Sequence, residues 1–145
     1  MNPDLFPHLV KFITANGTVK YVLKNAELAK IDSRKLHSYA LDPTHPRGGA
    51  NKAHVFKEAL GFDLSNWKDL YQQLLAGVRN ANAIPGKVNE HGRHYTVDIR
   101  VTGPKGEGVV RTGWIYKQGS DIPELTTLLV APKSVQLKEG DCRAI

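Results

Sequence analysis

Past Pro85-Gly86 the hydrophobic pattern of this chain changes period, and that change limits its fold more than any other feature. Upstream, apolar residues recur at helical spacing. Ala53, Phe56, Ala59 and Leu60 share one face, with Gly61 as the C-terminal cap, and Trp67, Leu70, Leu74 and Val78 share another behind an N-cap at Ser65 or Asn66. Downstream, HYTVDIRVT alternates. Tyr95, Val97, Ile99 and Val101 face one way; His94, Thr96, Asp98, Arg100 and Thr102 face the other. VVRTGWIYK follows across the turn Gly103-Pro104-Lys105-Gly106, and LTTLLVAPKSVQL supplies a third strand and room for a fourth. Short turns between successive strands require an antiparallel meander. The expected class is α+β, with a hairpin and helices packed on one face of an antiparallel sheet.

The N-terminal part fits that plan. In KFITANGTVKYVL, Asn16-Gly17 separates two β-rich runs, and both residues tolerate the positive φ of a tight hairpin turn, so strands are expected at about 9–15 and 18–23. Asp32 or Ser33 can cap a helix over about 33–41 whose apolar stripe is Leu36, Tyr39 and Ala40. Asp42-Pro43 and His45-Pro46 end it, because the residue before proline is pushed out of the helical region. The 145 residues suit a single domain over 1–145 with a short tail at 132–145.

Lys and Arg outnumber Asp and Glu by 20 to 14, a net charge of +6 that favours polyanionic partners such as nucleic acid or an acidic protein. No apolar run approaches a membrane span, no basic amphipathic helix carries a Trp/Leu face, and MNPDLFPHLVKFITANG lacks the pattern of a signal peptide, so a cytoplasmic protein without membrane contact is expected. Cys142 is the single cysteine; no internal disulfide can form, and the tight Cys/His spacing of a zinc site is absent, so no metal and no cofactor are expected.

HPRGGANKAHVF, residues 45–56, carries the densest chemistry. His45, Arg47, Lys52 and His54 surround a glycine pair where a helix begins. A helix N-terminus attracts anions, glycine lets backbone approach a phosphate, Arg47 can fork onto two phosphate oxygens, and Lys52 adds a point charge. Neither GxxxxGK[ST] nor GxGxxG is present, so a solvated loop accounts for the pattern equally well. HGRHYTVDIR adds Arg93 and His94 at a strand start. In VVRTGW, Arg111 and Thr112 are adjacent, so their side chains must point to opposite faces unless a bulge intervenes. Phe56, Leu60, Trp67 and Leu74 read as core. No paired strand carboxylates, HExxH or GxSxG signal a metal-dependent nuclease or a serine hydrolase.

Two stretches together, YVLKNAELAKIDSRKLHSYALDPTHPRGGANKAHVFKEALGF and YTVDIRVTGPKGEGVVRTGWIYKQGSDIPELTTLLV, resemble an uncharacterised bacterial domain family over about residues 21–131. Its first block reads roughly LLNPEHPxGxxKAxVFxxALGF, matched here by His45, Pro46, Gly48, Lys52, Ala53, Val55, Phe56 and Gly61. Its second reads VRTxWxxxxGxxxPxLVTxY, matched by Arg111, Thr112, Trp114, Gly119, Pro123 and Thr127. Ala50-Asn51 lengthens the loop before Lys52, and Leu129 stands where an aromatic residue is common. The family looks like C-terminal domains of polymorphic toxins, or free-standing proteins encoded beside a small antitoxin-like partner, and its layout is similar to barnase-like, colicin-like and RelE-like ribonuclease toxins. The resemblance implies a metal-independent endoribonuclease acting on cellular RNA, with tRNA one candidate, in its own cytoplasm or in that of a target cell. It implies neutralisation by an acidic antitoxin or immunity protein. Lys52 and Arg111 would be the cations at phosphate, His45 the base or acid, and Thr112 and Thr127 hydrogen-bond donors, with Arg47, His54, Arg93 and His94 binding the nucleic acid. A non-catalytic nucleic-acid-binding domain and a non-nuclease toxin or interaction domain are the alternatives.

Overall fold

A computed structural model of the chain describes residues 6–45 and 49–132. Its class is α+β, with a two-stranded and a four-stranded antiparallel sheet. Strand β1 (Leu9–Ile13) pairs with β2 (Val19–Leu23), Leu9 facing Leu23 and Ile13 facing Val19. The turn between them is longer than a two-residue Asn-Gly loop. Thr14 and Thr18 close a three-residue connection in which Gly17, at φ 88°, alone takes positive φ. Over the stretch expected to be a helix at 33–41, the chain forms one π-helical turn, Leu36–Ala40. The Leu41 N–H closes it on the Leu36 carbonyl, and the turn buries Leu36 and Ala40.

Helix α1 (Gly49–Leu60) buries Ala53, Phe56 and Leu60; α2 (Trp67–Gly77) buries Leu70 and Leu74. Gly61 ends α1 at φ 84°, its N–H and that of Phe62 both reaching the Phe56 carbonyl, the close that favours glycine at this position. Each large apolar side chain taken from water contributes about 1.5–3 kcal/mol.

The main sheet runs in the order β3 (Ala83–Asn89), β4 (Gly92–Gly103), β5 (Gly106–Lys117), β6 (Glu124–Val130). Strand β3 occupies the stretch where Pro85-Gly86 reads as a turn. It is an edge strand with an irregularity between Pro85 and Val88, a position that spares the sheet the hydrogen bond proline cannot donate. The alternation of β4 and β5 sets two faces. Tyr95, Val97, Ile99, Val110, Trp114 and Tyr116 join the helices in one core, while Thr96, Asp98, Arg100 and Arg111 stand on the opposite, more open face. No helix of the described residues is long and apolar enough to cross a membrane.

Candidate functional site

Three of the expected residues meet at one corner, where the start of α1, the π-helical turn and the outer strand β6 come together. The Asp42 carboxylate accepts hydrogen bonds from the Thr44 N–H at 2.9 Å and the Thr44 hydroxyl at 2.8 Å, and those bonds hold it below the usual carboxylate range. The His45 N–H returns to the Asp42 carbonyl. This turn sets the His45 ring edge-on to Tyr39, centroids 4.5 Å apart. On the same tyrosine, Lys52 Nζ stands 4.9 Å from the ring centroid, and it donates to Thr127 Oγ1 at 3.2 Å. Burial lowers the Lys52 pKa from its ordinary value, since a partly desolvated ammonium loses hydration.

Thr127 is aimed by a bulge. Gly113 faces Thr127 and Trp114 faces Leu125, so Thr126 is an extra residue on β6. A methyl group on Gly113 would lie 2.9 Å from Thr126 Oγ1 and 3.0 Å from Thr127 Cγ2. The bare glycine therefore gives both threonines room over one spot. They open, with Ser38, Tyr39, Arg34 and Lys35, onto a cleft of about 410 Å³. Asp32 is the carboxylate of its wall. Arg34 grips it in a fork at 2.6–3.2 Å, which holds the Asp32 pKa down to about 2.

The other expected residues lie elsewhere. Thr112 does not face a ligand: it is fully buried, its hydroxyl donating to the Val97 carbonyl at 2.6 Å and accepting the Trp114 indole N–H at 2.7 Å. Its role is to satisfy a buried tryptophan, and its assignment to phosphate is corrected on that ground. Arg111 points to the open face, as strand parity requires, and forks onto Asp98 at 2.9 and 3.0 Å. That bond raises its pKa further above the usual arginine value.

The described members of the expected nucleic-acid-binding set, His54, Arg93 and His94, do not form one surface. His54 is exposed on α1, two residues past Lys52 and so on another side of the helix. Arg93 belongs to the helix-covered face, near His8, and His94 to the opposite one. His94 Nε2 is buried without a hydrogen-bond partner among the described residues; burial, then Lys87 and His91, lowers its pKa. Arg47 lies outside the described residues, as do Pro46, Gly48 and Cys142.

Sequence reasoning missed Tyr39, which links His45 to Lys52, because its spacing with Leu36 and Ala40 reads as a core stripe. Lys35 and Gly113 carried no motif signal at all. Among the described residues, no group of three or more His, Cys, Asp or Glu is placed to hold a metal ion.

Fold and cleft together define a small α+β domain with a cationic, hydroxyl-lined corner beside an edge strand. Residues 22–132 match the domain of unknown function DUF6883, and the chain belongs to that family. No curated protein matches it.

Proposed function

We propose that this chain is a toxin domain that cleaves RNA without a metal ion, centred on Lys52. The observation that carries the reading is that His45 and Lys52 meet on Tyr39 and Lys52 bonds to Thr127, while Tyr39 and Thr127 line a cleft with Arg34 and Lys35. RNA brings its own nucleophile. The 2′-oxygen attacks phosphorus, the P–O5′ bond breaks, and the products are a 2′,3′-cyclic phosphate and a 5′-hydroxyl. His45 takes the 2′-OH proton. Thr127 and Lys52 hold the phosphoryl oxygens, where stabilising developing charge is the largest contribution. Lys52, made more acidic by burial, supplies a proton to O5′. The partner that silences such a corner is an acidic antitoxin or immunity protein, since opposite charge speeds docking onto a cationic site.

The test is incubation of the purified protein with total RNA and with tRNA in EDTA, beside Lys52→Ala. Wild type is expected to leave discrete fragments ending in cyclic phosphate, and the variant about 10²–10⁴-fold fewer. Intact RNA with wild type, its fold verified by circular dichroism, overturns the reading. Retention of RNA without cleavage would make the chain a binding domain. Growth arrest without RNA fragments would make it a toxin of another kind.

A further inference from the structure

The corner cleft does not end at Thr126. A larger cavity, about 690 Å³, shares Asp32, Lys35 and Thr126 with it and continues along β6 to Lys30, Tyr71 and Lys117. Both volumes fall within the range of small-ligand sites, roughly 300–1,000 Å³. The connecting segment forms the outer wall: the Lys30 N–H bonds to the Pro123 carbonyl and the Leu125 N–H to the Lys30 carbonyl, so residue 30 lies parallel to β6 as an added edge.

The charges along this groove are unevenly spent. Asp32 is held by Arg34 and Glu124 by Lys117, at 2.6 and 3.3 Å. Among the described residues neither Lys30 nor Lys35 stands at ion-pair distance from a carboxylate; Lys35 acts on Asp32 only from further off, behind the Arg34 fork, so both ammonium groups remain available to a ligand. An aromatic ring stands in each half. Tyr39 lines the corner, and Tyr71, packed edge-on against Trp67 at 6.0 Å, lines the extension. Tyr39 is already engaged by Lys52 and His45, which leaves Tyr71 as the ring for a base; a groove that carries both cations and an aromatic ring suits a single-stranded nucleic acid, its phosphates meeting the cations and a base the ring.

We infer that the second cavity is a subsite for a neighbouring nucleotide, so that the groove takes a single-stranded polynucleotide and rejects a duplex. The inference rests on the RNA reading above and adds to it the strand state of the substrate and Lys30, Lys35 and Tyr71 as its grip. A base pair leaves no unstacked face for Tyr71, whereas a loop or unpaired end does.

The experiment is fluorescence anisotropy with labelled 2′-O-methyl oligonucleotides, which bind but lack the attacking hydroxyl. A dinucleotide, a tetranucleotide and a twelve-base-pair duplex are compared, alongside cleavage of an unmodified dinucleotide. The tetranucleotide is expected to bind about tenfold tighter than the dinucleotide, on the scale of one stacked base. Lys30→Ala is expected to weaken the tetranucleotide more than the dinucleotide and to lower its salt slope by about 0.7, one phosphate contact. Equal affinity for duplex and tetranucleotide, or equal effects of Lys30→Ala on both lengths, overturns the subsite even if the dinucleotide is cleaved. Length-dependent, Lys30-sensitive binding without cleavage upholds the subsite and removes the ribonuclease. Absence of binding at every length overturns both.

Discussion

Lys52 Nζ donates a hydrogen bond to Thr127 Oγ1 at 3.2 Å, tying the first turns of α1 to a strand 75 residues further along the chain. The lysine is held there at a cost, because burial disfavours its charged form. Its folded pKa lies below the unfolded one, so between those two values the unfolded chain binds more protons and stability rises with pH. Below both values the cost is fully present. Lys52→Met, which keeps the apolar stem, should therefore melt at or above the wild-type temperature while losing RNA cleavage. Thermal denaturation beside the cleavage assay checks this; a clear fall in melting temperature would mean that the lysine stabilises the fold.

Thr112 offers the contrasting case. Thr112→Val strands the Trp114 indole N–H in the core, and should cost about 1–3 kcal/mol in urea denaturation. Thr112→Ser, which keeps the hydroxyl, should recover most of that loss. Both variants, once folded, should cleave RNA as wild type does.

Gly113→Ala separates the aim of the threonines from their presence. The new methyl group would meet Thr126 Oγ1 at 2.9 Å and Thr127 Cγ2 at 3.0 Å, closer than side chains normally approach. The bulge must shift, so cleavage should fall about tenfold or more, a scale set by the sensitivity of catalysis to misplacement of about 1 Å. Thr127→Val removes the hydroxyl without moving the strand. If Gly113→Ala is as active as wild type, the position of Thr127 does not matter to the reaction.

His8 gives the fold a pH dependence. Its ring stacks on Tyr116 at 3.8 Å and its Nδ1 lies 3.3 Å from the Tyr95 hydroxyl. Burial is the largest cause of its lowered pKa, with Arg93 and Lys24 adding to it against an opposing pull from Asp121. As pH falls through about 6.5, the unfolded chain takes up the proton first, and stability is lost until the folded pKa is passed. His94 shifts the same way, so the readout is a difference. Urea midpoints between pH 7 and 5 should fall more steeply for wild type than for His8→Phe. Parallel slopes would show that the stacked histidine is not the source.

The change of period at Pro85 was enough to separate helices from sheet, because burial on one face imposes 3.6 on a helix and 2 on a strand. It could not reveal β3, since proline and glycine mark a turn in most contexts and an edge strand in few. Nor could it distinguish the Asn16-Gly17 turn of two residues from the observed turn of three: a single positive φ at Gly17 serves the longer one. At the site, His45, Lys52 and Thr127 were legible as polar residues in two dense blocks, although their proximity depends on tertiary contacts no spacing encodes. Thr112 misleads for a chemical reason. A hydroxyl fits a phosphate oxygen and a buried indole N–H equally well, and only burial distinguishes the two. Tyr39 was hidden because a ring that borders a cleft and one that fills a core have the same periodicity.

The pairing of Lys30 with Glu124 has a consequence for when the groove can exist. One wall comes from the first quarter of the chain and the other side from β6, so the two are made far apart in time as a ribosome proceeds. Contacts of such sequence separation form late, after the intervening loop has been closed. A nascent chain that has not yet released β6 carries every lysine of the groove but lacks the strand against which the groove is formed.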